Sequence, residues 1–258
     1  VGDADGGSSV GRRCVLAGLA LAAGATVLRP AASHAASTVR VGFRPVAPLV
    51  EESGGGVTGL EVDIITTALA HGGFQVQPYL GPHARLAAAV ERGDIDGLAP
   101  LVGSIPGVLP TEPYLRYRNV ALSLAARGLT IRTPADLRGL RVIVFQRAEQ
   151  ALGADIIATI RDTPGYREEA KQDQMLFALL SGRCDVVIGD RRILQHQIER
   201  ARAQVHSREP VVEHDLFPVR DYPAGFRTPA LVDAFNAGLA AMRADGRYDT
   251  LLAHHPVG

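Results

Sequence analysis

The chain has 258 residues, with 27 basic and 27 acidic side chains, no tryptophan and 5% aromatic residues. Balanced charge argues against nucleic acid or an anionic membrane surface as the main partner. So few rings leave little from which to build a stacking platform for bases or sugars.

The first segment differs in character from the rest of the chain. Arg12-Arg13 precedes an apolar run from Cys14 to Ala23, and small residues lead on to Ala35-Ala36. A basic start, a short apolar core and a small-x-Ala site read as a secretory signal over residues 1–35, cleaved near Ala35/Ala36. An anchoring helix is the alternative, but the run is broken by Gly18 and closed by Arg29-Pro30. The paired arginines point to twin-arginine export, yet the aromatic usual after the pair is missing, so the route stays open between that and general secretion. Either route predicts a periplasmic location. About 220 residues then remain, enough for one large or two modest cores. Past the signal, Cys184 is the one thiol, expected as a small buried hydrophobe.

Residues 39–43 read as a strand and 51–56 as an exposed turn. Gly59-Leu60-Glu61-Val62-Asp63 leads into a helix with the stripe Ile64, Ile65, Ala68 and Leu69, closed by Gly72-Gly73. Phe74, Val76 and Pro78 alternate as a second strand, and Pro82 opens a helix with Leu86, Ala89 and Val90 on one face. Gly93 stops it, and a strand from Ile95 is expected parallel to residues 39–43. The carboxyl end of that strand aims residues 100–104 at a ligand crevice. The Pro/Gly-rich stretch 104–113 reads as loop, and 119–126 as a strand leaving the first lobe.

Thr133-Pro134-Ala135-Asp136 is a compact helix start. Gly139 ends it, and a strand over 141–145 opens a second lobe. Leu176, Leu179 and Leu180 give a helix face before Gly182; 191–204 reads as a polar helix and 211–220 as the return crossing. Thr228-Pro229 starts a last helix with Leu231, Phe235, Leu239 and Met242 on one face. Two segments rhyme. Gly93-Asp94-Ile95-Asp96-Gly97-Leu98-Ala99 and Gly182-Arg183-Cys184-Asp185-Val186-Val187-Ile188 each join a helix stop, an acidic turn and an apolar strand. One α/β unit built twice predicts a lobe of residues 36–124 plus 217–258 facing a lobe of residues 125–216, with a ligand cleft between them.

These elements, with Glu112-Pro113-Tyr114, Asp136-Leu137-Arg138-Gly139-Leu140-Arg141-Val142 and Ala244-Asp245-Gly246, occur in the order that resembles the family 3 solute-binding proteins of ABC importers. The resemblance covers essentially everything after the signal. It implies a two-lobed α/β Venus-flytrap fold of type II with two crossovers, a small polar ligand such as an amino acid and a membrane permease as partner. A monomer without a cofactor is expected, and the spacing of His254-His255 and the isolated histidines does not suit a metal. It also implies a carboxylate that meets the ligand's amino group. By position this is Asp190, whose alternative role is to cap the helix from Arg191.

Two family features are missing. The arginine that usually forks onto the ligand carboxylate before the Pro-Tyr element is replaced by an uncharged stretch from Ser104 to Pro110, and the usual Gly-Ser/Thr after the second-lobe strand is Arg147-Ala148. Arg44 and Arg147, each following a strand, are expected to replace the clamp; solvated loop arginines are the alternative. Phe43 is a candidate apolar wall or a core residue, Tyr114 a contact or hinge packing, and Ser104 a polar contact. Enzymes of the same fold, such as periplasmic dehydratases acting on cyclic carboxylic acids, would need a tuned cleft acid or base. His83 opens a helix and His196 lies on a polar one; the histidine to test is His214, between Glu213 and Asp215 at the expected return crossing. A sensor or accessory protein is the third reading.

Overall fold

The computed structural model describes residues 37–163 and 165–255, so the expected signal segment and Cys14 lie outside the described residues. The first half builds β1 (Ser37–Phe43), a small hairpin of β2 (Glu51–Ser53) and β3 (Gly56–Thr58), α1 (Leu60–His71), β4 (Phe74–Leu80), α2 (His83–Arg92), β5 (Gly97–Ala99) and β6 (Leu109–Tyr117). Next come β7 (Asn119–Leu124), β8 (Val142–Phe145), α3 (Ala148–Leu152), α4 (Ala154–Arg161), β9 (Arg167–Glu169), α5 (Gln172–Leu180), β10 (Val186–Asp190) and α6 (Arg191–Val205). The chain closes with β11 (Val211–His214), β12 (Arg220–Phe226), α7 (Pro229–Ala244) and α8 (Arg247–His254).

Two five-stranded sheets result, in the orders β4-β1-β5-β12-β6 and β11-β7-β10-β8-β9. In each, the unit's first strand lies between its second and third, all parallel, and an antiparallel strand flanks the third. The rhyme is thus a repeat in space. Its acid does the same backbone work twice: Asp96 accepts from the Arg40 amide at 2.8 Å and Asp185 from the Arg141 amide at 2.9 Å. The amides of Asp96 and Asp185 return the bond to the same two residues' carbonyls, at 2.8 and 2.9 Å. Each helix stop takes a left-handed glycine, Gly93 at φ 82° and Gly182 at φ 68°. The amides beyond them, of Asp94 and Arg183, reach back to the Ala89 and Ala178 carbonyls and satisfy orphaned helix acceptors.

The apolar stripes pack as the periodicities predict. Ile64, Ile65, Ala68 and Leu69 of α1 meet Phe235, Leu239 and Met242 of α7 in the first core, while Leu176, Leu179 and Cys184 join Leu194 and Ile198 in the second. A further cluster around Val142, Val144, Ile157 and Ile160 covers the other face of the second sheet. Cys184 is buried, and desolvation pushes its thiol up to about 12. Pro78 is tolerated in β4 because that strand is the sheet edge.

Three expectations about strands need correction. The strand at residues 119–124, expected in the first lobe, pairs antiparallel with β10 and β11 in the second sheet. Residues 211–214, expected to cross back, form the edge strand of that same sheet, and Phe217 still packs in its core. Part of the stretch expected as loop is β6, held antiparallel to β12 with register shifts around Pro223. The chain therefore passes between the sheets at Arg118 and again over residues 215–219. An Arg118–Asp215 ion pair clasps the two passages together.

Candidate functional site

A cleft of about 920 Å³ lies between the sheets, and its lining follows from the topology. Arg44 comes after β1, His83 after β4, Pro100 and Val102 after β5; Gln146 and Arg147 come after β8, Lys171 and Gln172 after β9, and Asp190 ends β10. These are the carboxyl ends of all six parallel strands, where α/β sheets place ligands. Tyr117 and Tyr222, from the two strands beside the crossings, form the cleft's floor with ring centroids 4.9 Å apart, edge to face.

Of the six residues singled out from the sequence, Arg44, Arg147 and Asp190 line this cleft. Phe43 does not: it is fully buried in the first core, since helices cover both faces of a parallel sheet and the strand's last residue points into one of them. Tyr114 is likewise fully buried, its ring edge-on to Phe235 at 6.2 Å, and it borders a smaller hollow beside Arg243 and Tyr248. Ser104 is exposed on the loop ahead of β6 and is not part of the cleft wall.

Arg147 is the residue before α3 and adopts φ 63° and ψ 32°, a left-handed conformation uncommon outside glycine. Its amide donates to Glu168 Oε2 at 2.8 Å, which holds the turn. The conformation lets the backbone turn into α3 while the exposed guanidinium joins the cleft wall from the second lobe. Arg44 joins it from the first lobe.

Asp190 is 3% exposed and caps α6: its carboxylate accepts from the amides of Arg192 at 3.0 Å, Ile193 at 3.4 Å and Arg118 at 3.1 Å. One side chain thus fixes a helix start and the single-residue crossing. Burial lifts its carboxyl to about 6, held down in part by the charge of Arg192 and the three amides. Facing it from α1 is Glu61, 1% exposed, whose carboxyl is raised by burial against the opposing effects of the Tyr117 hydroxyl that donates to it and the charge of Arg44.

His214, the histidine of interest for catalysis, is buried beside Ser123, with 2.9 Å between Oγ and Nε2, and is not part of the cleft wall. His83, which the sequence marks only as a helix opener, does line it. So do Tyr117, Asn119, Gln172 and Tyr222. The strand pattern held a clue to His83. Once β1 and β4 are neighbours, the residues just past both must share one edge. Among the described residues no group of three or more His, Cys, Asp or Glu side chains is placed to hold a metal ion.

No family model matches the chain, and no curated protein is significantly similar to it. Solved structures are. A histidine kinase sensor domain with similarity to periplasmic binding proteins is 19% identical, with 84% of this chain and 95% of that one covered at a TM-score of 0.68. An ancestral amino acid-binding protein, a precursor of cyclohexadienyl dehydratase, is 21% identical over 83% of this chain and 93% of its own, at a TM-score of 0.66. An amino acid ABC transporter substrate-binding protein from Streptococcus pneumoniae, bound to L-arginine, is 16% identical over 85% and 94%, also at 0.66. At such identities the likeness shows the fold: two lobes of the periplasmic-binding-protein type.

Proposed function

We propose that this protein binds a small polar solute, an amino acid or a related organic acid, in the cleft between its lobes. We place it outside the cytoplasm as the solute-binding component of an ABC importer, delivering the solute to a membrane permease as a monomer. The observation that carries this reading is the pair of arginines, Arg44 from one lobe and Arg147 from the other, on the walls of one cleft. An acidic group on the solute meets them, and Asp190, with lone pairs beyond its three amide bonds, meets a donor. A solute that touches both lobes favours the closed form by its differential affinity, and the permease reads that shape.

The resemblance of the ordered motifs supports import, and the shared fold with a substrate-binding protein agrees with it. A thermal-shift screen of amino acids, organic acids and amines on the purified full chain tests binding, because a ligand at a hundred times its Kd adds about 2.7 kcal/mol. Arg147→Ala is expected to weaken the best hit at least about tenfold, as charged hydrogen bonds contribute about 1.5–3 kcal/mol. Unchanged affinity removes the clamp. Loss of uptake on deletion of the gene supports import, whereas conversion of a hit into product moves the reading to an enzyme.

A further inference from the structure

We propose that His83 is a ligand contact that completes an anion seat with Arg44 and Arg147, so that the cleft takes a small solute carrying two anionic groups. This inference rests on the solute-binding reading above and names the class of solute.

Topology brings the three together. Pairing of β1 with β4 runs to Phe43↔Leu80, and the Gly81 amide donates to the Phe43 carbonyl at 3.1 Å. The chain therefore leaves both strands side by side, which sets Arg44 and His83 on one edge of the first sheet. Arg147 stands on the corresponding edge of the second, at the end of its strand β8.

Both ring nitrogens of His83 are shielded from bulk water, yet neither has a hydrogen-bond partner among the described residues. Buried polar groups are ordinarily paired, and His214 in this same chain is, through Ser123. His83 is instead one of the residues that line the cleft. Burial holds its proton affinity below the usual range, and the charges of Arg147 and Arg44 lower it further. Burial and the two guanidinium groups from opposite lobes thus both favour the neutral ring.

The other charged residues lining the cleft are of both signs. Arg85, on the same helix as His83, also lines the cleft, but its guanidinium is engaged by the Leu80 carbonyl at 2.5 Å and lies over the Tyr79 ring. Glu51 and Glu52 sit on the exposed hairpin, Lys171 and Asp173 flank the start of α5, and Asp190 already faces three amides. None of these carboxylates is hydrogen-bonded to His83. One carboxylate on a ligand neutralises one guanidinium. A second would neutralise the other and let His83 take up a proton, turning both ring nitrogens into donors. Bound His83 then holds a proton that free His83 lacks, so affinity must fall as pH rises.

Isothermal titration calorimetry of the full chain decides this, with succinate as the two-carboxylate probe and butyrate as the one-carboxylate control, between pH 6 and pH 8 in buffers of different ionisation heat. The expected result is succinate bound at least tenfold tighter than butyrate, with net proton uptake and affinity weakening toward pH 8. His83→Gln is expected to keep its fold and bind succinate with no proton uptake and a flat pH profile. Succinate no tighter than butyrate, pH-independent binding by the unmodified chain, or undiminished proton uptake in the variant overturns the inference while solute binding stands. If the variant does not fold, proton uptake by the unmodified chain still decides. Failure of every acid, amino acid and amine to bind overturns both readings.

Discussion

Asp190 holds two conflicting requirements in one side chain. Three backbone amides donate to it and favour the ionised form, while 3% exposure disfavours any charge. Burial wins, and the folded carboxyl sits at about 6 instead of the ordinary 3.8. A raised folded value means that the stability Asp190 contributes is complete below about pH 4 and is lost as pH rises through about 6, by at most about 3 kcal/mol. Asp190→Asn cannot titrate. The stability of that variant relative to the unmodified chain is therefore expected to improve between pH 4 and pH 7, read by urea unfolding at each pH. A difference that stays constant across that range shows that Asp190 titrates near its ordinary value in the fold. The carboxylate's place was legible in the sequence because it ends an apolar strand and precedes a helix. Its tie to the Arg118 amide was not, since that bond spans 72 positions. Phe43 failed as a cleft residue for a related reason: the last position of a strand faces whichever side the non-local packing covers.

At the scale of elements, α1 and α7 come closest at Gly238. A β-carbon built there would lie 2.0 Å from the Ala68 carbonyl oxygen and 2.7 Å from its carbon. The obstacle is helix backbone, which cannot swing aside as a side chain does. Gly238→Ala gains helix propensity of about 1 kcal/mol, but overpacking of a tight core costs about 1–3 kcal/mol and forces the helices apart. Net destabilisation is expected in chemical denaturation; a variant as stable as the unmodified chain would mean that α7 approaches α1 less closely. Helices of this kind were readable because their stripes recur every three to four residues over ten or more positions. The short α3, α4 and β9 were not, as each is too brief for a period to emerge and Gly153 interrupts the first two. The strand β7 was recognisable as a strand, whereas β11 was hidden in the stretch read as the return crossing, and the sheet each joins is a choice of partner, which local sequence does not encode. The paired glycine stops were the strongest local signal, because a left-handed glycine just past an apolar stripe is the commonest way for a helix to end.

For the molecule as a whole, the crossings decide how the lobes can move. One is a single residue, Arg118, and the other covers residues 215–219; they are joined by the Arg118–Asp215 pair, whose partners are both partly exposed and contribute little to stability on their own. Beyond the crossings the lobes also touch through α6, where Ile193 packs in the first core and Gln197 Nε2 donates to the Ala47 carbonyl at 3.4 Å. Two sheets with rigid cores and so slender a connection rotate about it more readily than they deform. A solute held by Arg147 alone would bind without moving the equilibrium, because it gains nothing in the closed form that it lacks in the open one. A solute held by Arg44 and Arg147 together must shift it. Small-angle scattering is therefore expected to show a smaller radius of gyration with a saturating ligand. Arg44→Ala should reduce the compaction at ligand concentrations that still saturate the variant. If calorimetry shows the site full and the radius of gyration does not change, the cleft binds without closing, and delivery by shape to a permease is no longer supported.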